Sequence, residues 1–122
     1  MNWKTVRLEL ARSRDFPKGS PGRSYLLRLP LDESGRIDEP ALRREPAQAT
    51  VRRYWPNEPD LSGRVVPAQD GWALSYEAPA SPAAAPSGRL PHRPLALGAQ
   101  IDVTEPDGRR LAFRVASLAA LA

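Results

Sequence analysis

Apolar and polar residues alternate in short runs along most of this chain, with the two-residue period of a half-buried β-strand. Residues 3–10 place Val6, Leu8 and Leu10 on one side and Thr5, Arg7 and Glu9 on the other. Arg14–Gly22 holds two prolines and two glycines and reads as a loop. A second strand over 23–29 aligns Tyr25, Leu27 and Leu29. The pattern then breaks at the turn Asp32-Glu33-Ser34-Gly35, and Asp38-Glu39-Pro40 opens a short helix that runs through Glu45 and stops at Pro46. A third strand covers Ala49–Trp55.

The plainest pattern lies near the C-terminus. Ile101 and Val103 alternate with Gln100, Asp102 and Thr104; after Glu105-Pro106-Asp107-Gly108, Leu111, Phe113 and Val115 alternate with Arg110, Ala112 and Arg114. Pro106 presets a type I turn, Asp107 suits the next position and Gly108 supplies the left-handed residue. With that loop Glu105 faces Arg109, Val103 faces Leu111, Ile101 faces Phe113 and Ala99 faces Val115, so every apolar residue falls on one face. A one-residue slip would turn that face to water. A second hairpin runs from Gly63 to Glu77. A three-residue loop Gln69-Asp70-Gly71 sets Val66 against Leu74, Ala68 against Trp72 and Arg64 against Tyr76; a two-residue Asp70-Gly71 loop pairs Val65 with Tyr76 instead.

About seven strands and one short helix result, which predicts an all-β domain built as a partly closed barrel or a two-sheet sandwich. Residues 78–94 interrupt the pattern with alanine, serine and five prolines in 17 positions. Such composition buries too little apolar surface to order itself. The 28 residues after it are too few to fold alone. The stretch therefore reads as a flexible loop inside one domain spanning residues 1–122.

Cysteine is absent, which excludes disulfides and thiolate metal sites. No apolar run approaches the roughly 20 residues that span a bilayer, so no membrane partner is expected. Met1-Asn2-Trp3-Lys4 leads straight into a strand pattern without a signal-peptide core, and the cytoplasm is the expected location. Lys and Arg number 18 against 14 Asp and Glu, and arginine supplies nearly all of the positive charge, the mark of a GC-rich bacterial coding bias. The surplus is uneven: residues 1–30 carry Lys4, Arg7, Arg12, Arg14, Lys18, Arg23 and Arg28 against only Glu9 and Asp15. A local field of that sign attracts an anionic partner, or simply solvates a face.

Catalysis has little material. His92 is the single histidine, set in the Ala/Pro stretch where a general base lacks fixed geometry. No nucleophile elbow, Walker loop or dinucleotide fingerprint is present, and no catalytic residue or cofactor is assigned. Lys18-Gly19-Ser20-Pro21-Gly22 has its lysine before the glycines and reads as an ordinary loop more readily than as an anion nest. Asp32, Glu33, Asp38 and Glu39 lack calcium-loop spacing, so no metal site is assigned either.

Binding has better material. In a strand Arg52 and Arg53 must point to opposite faces, one with Val51 and Trp55, the other with Thr50 and Tyr54. Trp72 and Tyr76 share a face of another strand. Arg52, Arg53, Tyr54, Trp55, Trp72 and Tyr76 are therefore the candidate binding residues, since arginine beside aromatic rings recurs at interface hot spots and stacking platforms. The plain alternative is that the aromatics fill the core with an arginine at its edge.

The blocks Phe16-Pro17-Lys18-Gly19-Ser20, Thr50–Pro56, Gly71–Glu77, His92 and Glu105–Val115 resemble those of a set of small uncharacterised bacterial proteins of about this length. The resemblance spans most of the chain but not 78–88, and it implies no activity, ligand or partner. From the residues, the leading expectation is a non-catalytic protein-interaction or accessory module. The rival is a nucleic-acid-binding barrel (single-stranded DNA or RNA), with Lys4, Arg7, Arg12, Arg14, Lys18 and Arg23 on phosphates and aromatics stacking on bases.

Overall fold

Residues 2–77 and 87–121 are described by the computed structural model, and their strands follow one another around a closed antiparallel barrel. In chain order these are β1 (Trp3–Leu10), β2 (Ser20–Pro30), β3 (Thr50–Tyr54), β4 (Leu61–Ala68), β5 (Gly71–Tyr76), β6 (Ser87–Pro91), β7 (Gln100–Thr104) and β8 (Arg110–Ala120). Each pairs with its successor, and β8 returns to β1 with Thr5 opposite Ala119. The all-β expectation holds, and closure decides between barrel and sandwich. An eight-stranded barrel has an interior just wide enough for side chains to fill. Here Val6, Leu8, Tyr25, Leu27, Val51, Val65, Leu74, Leu90, Val103, Phe113 and Val115 are all buried there.

The C-terminal hairpin adopts the predicted register throughout: Val103 faces Leu111, Ile101 faces Phe113 and Gln100 faces Arg114. Gly108 has φ +91°, its N–H donates to the Glu105 carbonyl at 2.8 Å, and Glu105 N–H donates to the Arg109 carbonyl at 2.7 Å. The short helix also forms as read. It is α1 (Glu39–Arg44), with the Asp38 carboxylate accepting from Ala41 N–H at 3.1 Å and a 3-10 turn over Pro46–Gln48 after it. Leu42 points inward from α1 and, with Leu31 and Leu95, closes the end of the barrel beneath it.

Two expectations need correction. The β4–β5 hairpin takes neither register drawn from the sequence: its loop is Gln69-Asp70, with Ala68 opposite Gly71, Val65 opposite Leu74 and Gly63 opposite Tyr76. Asp70 itself adopts the left-handed conformation at φ +60°. Burial rules out the three-residue loop, which would have turned Val65 away from the face that carries Trp72, Leu74 and Tyr76; the two-residue Asp70-Gly71 loop keeps that face but shifts the pairing by two residues. Secondly, part of the 78–94 segment expected to be a flexible loop is strand. Ser87–Pro91 form β6, an eighth strand whose Leu90 is buried against Trp72; residues 78–86 lie outside the described residues.

Gly63 faces Tyr76 because nothing larger fits. A Cβ at that position would lie 2.0 Å from the Ser75 carbonyl oxygen and 2.6 Å from Tyr76 Cα. Both obstacles are backbone, so they cannot rotate away. Gly63→Ala is expected to destabilise the barrel by about 2 kcal/mol or more, read as a lower urea midpoint; an unchanged midpoint would contradict this packing.

Candidate functional site

The inward position of β3 that follows Val51 is Arg53, a charged residue with 4 % of its surface exposed. Its partner is Glu105, 1 % exposed, at the start of the β7–β8 turn. Arg53 Nε and Nη2 donate to one Glu105 oxygen, Oε1, at 3.0 and 2.9 Å. The Tyr25 hydroxyl on β2 donates to the other oxygen, Oε2. Arg53 Nη1 reaches Glu58 in the β3–β4 loop at 3.1 Å, and its guanidinium lies 4.1 Å from the centre of the Trp55 ring. Phe113 meets Tyr25 edge to face at 5.2 Å. This polar knot sits at the barrel end where β3 leaves and β8 begins.

Charge and burial oppose each other here. Burial works to lower the pKa of Arg53, and the hydrogen bonds and charge of Glu105 outweigh it, holding the guanidinium ionised. Burial first, then the neighbouring Tyr76 and Glu105, push the Tyr25 hydroxyl far above the ordinary tyrosine value. Burial also raises the Tyr76 hydroxyl, against a smaller opposing effect of neighbouring Tyr25, and that hydroxyl has no partner of hydrogen-bond geometry among the described residues. Above the knot, Arg23 stacks over Phe16 at 4.3 Å and lies 5.7 Å from Trp55. Phe16, Arg23, Trp55 and Arg53 thus alternate ring and cation.

The six candidate binding residues therefore separate into three places. Arg53, Trp55 and Tyr76 belong to the interior knot. Trp72 is buried towards the other end, with the exposed His92 ring edge-on to it at 5.5 Å. Arg52 and Tyr54 face outward together, guanidinium to ring 5.6 Å. The basic residues of the N-terminal quarter do not form one surface either. Arg7 is bonded to Glu9 at 3.0 Å, Arg23 is held in the aromatic stack, Lys4 is half-buried, and Arg12, Arg14 and Lys18 are exposed on the β1–β2 loop.

What the sequence reading missed is a basic wall. Strands β2 to β6 contain six arginines and no aspartate or glutamate. Four of these, Arg28, Arg52, Arg64 and Arg89, are exposed on the outer face, and none makes a salt bridge among the described residues. The registers set Arg28 opposite Thr50, Thr50 opposite Arg64 and Arg64 opposite Ser75, with Arg52 next along β3 between Leu26 and Ser62. Two strand spacings put Arg28 and Arg64 about 10 Å apart, with Arg52 roughly 7 Å along the strand. Arg28 has only a 3.4 Å contact to Gln48. The sequence signal was available as five strand-like segments without a carboxylate, but it emerges only once those strands are known to be neighbours.

The wall ends at a weak seam. β6 and β7 share a single paired position, Arg89 opposite Thr104, and a cleft of about 560 Å³ lies along the junction. Among the described residues no group of three or more metal-ligating side chains comes together, and no helix is long and apolar enough to cross a membrane. Comparison with protein-family models, curated proteins and solved structures finds no match to this chain.

Two outcomes follow from the knot. Glu105→Ala leaves a buried guanidinium short of its partner and is expected to cost about 3–5 kcal/mol, while the double variant Arg53→Met with Glu105→Leu recovers much of that loss. Urea unfolding of the single and double variants measures the coupling. Alkali provides the second. Because Tyr25 and Tyr76 are raised in the folded state, their contribution is complete below the unfolded value near pH ~10 and is lost as pH rises past it. Phenolate absorbance from these two residues is expected to appear only together with loss of the folded circular dichroism signal.

Proposed function

We propose that this barrel is a non-catalytic protein-interaction module, and that the wall bearing Arg28, Arg52 and Arg64 docks an acidic surface of a partner protein. The observation that carries this reading is the run of strands β2 to β6 with six arginines and no carboxylate. Guanidinium groups held by neighbouring strands, without a salt bridge among the described residues and with Thr50, Ser62 and Ser75 between them, suit carboxylates presented by another folded surface. Rim charges of this kind steer association and set its salt dependence more than they add affinity.

Nucleic acid is the rival, and the placement of the aromatic rings disfavours it. Stacking on bases needs exposed rings. Trp3, Trp72, Tyr25 and Tyr76 are buried, Trp55 lies against Arg53, and Tyr54 alone stands beside an arginine on the wall. The same reading keeps the protein in the cytoplasm, on its cysteine-free composition.

Fluorescence anisotropy with a labelled poly-glutamate peptide at low ionic strength tests the wall. Arg28→Glu, Arg52→Glu and Arg64→Glu combined are expected to weaken binding about tenfold or more with the thermal midpoint little changed. Tighter binding of an oligo-thymidine probe, lost on replacing Arg12, Arg14 and Lys18, would favour the nucleic-acid reading instead.

A further inference from the structure

The β6–β7 seam is the most sparsely paired junction of the barrel among the described residues, and the sequence explains why. Arg89 opposite Thr104 is the last recorded pair, and continuing that register by two residues would bring Pro91 on β6 to Asp102. Proline has no N–H, so the Asp102 carbonyl receives no donor from β6, and a ladder cannot continue past it. On β7 the alternation is fixed from the other side. Val115 N–H donates to the Ala99 carbonyl and Glu105 N–H to the Arg109 carbonyl, so Ala99, Ile101, Val103 and Glu105 bond towards β8. Gln100, Asp102 and Thr104 consequently aim their backbone groups at β6. Thr104 meets Arg89, whereas Gln100 has no backbone partner in the 92–94 segment opposite.

The cleft along this seam is bounded by chemistry suited to an extended chain. Buried Trp72, Leu90 and Ile101 line it, and Arg89, Arg93 and Arg110 stand at its rim with Asp70 and Asp102. Among the described residues none of those three arginines makes a salt bridge; Arg89 donates to the Gln69 carbonyl at 3.2 Å. Its volume of about 560 Å³ falls within the ~300–1,000 Å³ typical of binding pockets. Unpaired strand edges, an apolar base and a net positive rim are the elements of strand addition, in which main-chain hydrogen bonds give affinity and alternate side chains give specificity.

We infer that the seam is a second binding site, taking an extended peptide segment with alternating acidic and apolar residues as an added strand along Gln100–Asp102. Its apolar side chains turn towards Trp72, Leu90 and Ile101, and its carboxylates meet Arg89, Arg93 and Arg110. The site uses none of Arg28, Arg52 or Arg64, so it stands or falls separately from the outer wall.

The probe is a labelled, end-blocked heptapeptide of alternating glutamate and valine, with a copy N-methylated at alternate residues as its control. Binding is expected to shift the amide resonances of Gln100 and Asp102 most. The N-methylated copy is expected to bind about tenfold more weakly, since methylation removes main-chain donors without removing charge. Pro91→Val restores the missing N–H, so it is expected to close the seam and weaken binding by a similar factor, about tenfold, without lowering the thermal midpoint. The combined Arg28, Arg52 and Arg64 charge reversal leaves this peptide's affinity unchanged. Absence of shifts at Gln100 and Asp102 at millimolar peptide, or equal binding of the N-methylated copy to the wild-type protein, overturns the inference.

Discussion

Glu105 and Arg53 lie 52 residues apart in the chain and meet only because the barrel is closed. An ion removed from water loses several kcal/mol of solvation, and the loss is recovered only when its hydrogen-bonding capacity is met inside. That condition ties together segments that share no other reason to be in register. β2 must present Tyr25, β3 must turn Arg53 inward, the β3–β4 loop must bring Glu58, and the β7–β8 turn must tuck Glu105 beneath itself. A one-residue slip of β3 would exchange Arg53 for Arg52 on the inner face and carry Val51 and Tyr54 to the wrong sides as well. The apolar residues favour a barrel of roughly this composition; the ion pair discriminates among its possible registers.

This dependence explains what could be read from the chain and what could not. The β7–β8 hairpin was fully legible because its turn residues and its alternation agree, and both are local. Glu105 was not, although it opens that same turn. A glutamate before Pro-Asp-Gly reads as a solvated turn residue facing Arg109, and nothing nearby announces that its side chain points into a core. The β4–β5 register was missed by one residue because Gln69-Asp70-Gly71 supports several loops, and the choice rests on Val65 reaching the interior opposite Leu74. β6 was hidden because Ser87–Pro91 carries one large apolar residue, Leu90, between glycine, arginine and proline. Its strand character comes from β5 beside it, not from its own composition.

The candidate binding residues were divided by the same physics. Adjacent arginines on one strand had to part company, and the sequence stated as much without saying which went where. The polar knot takes Arg53 and Tyr76 out of contention as a surface, burial takes Trp72, and Trp55 is left half-buried between Arg23 and Arg53. What remains outside is Arg52 with Tyr54, and these acquire meaning from neighbours that are remote in sequence: Arg28 on β2 and Arg64 on β4. An arginine-rich composition supplied the residues. The absence of any carboxylate within five successive strands is a separate property, and it distinguishes them from the C-terminal hairpin, whose turn pairs Arg109 with Asp107 at 2.7 Å.

The interior and the seam then stand in contrast. Inside, nearly every polar atom is engaged, with the Tyr76 hydroxyl the exception among the described residues. At the β6–β7 junction a single proline leaves main-chain groups without a strand to answer them. Exposed strand edges invite unwanted pairing, and a proline or a charge on the edge is the usual protection. Pro91 serves that purpose on β6, but it has no effect on the chemistry of β7, whose Gln100 and Asp102 groups still face the gap. The barrel closes with a single pair beside this proline and is paired most extensively in the β1–β2 and β1–β8 ladders, over eight and seven positions. The sparsest pairing therefore falls at a junction flanked by ladders that hold the fold together without it.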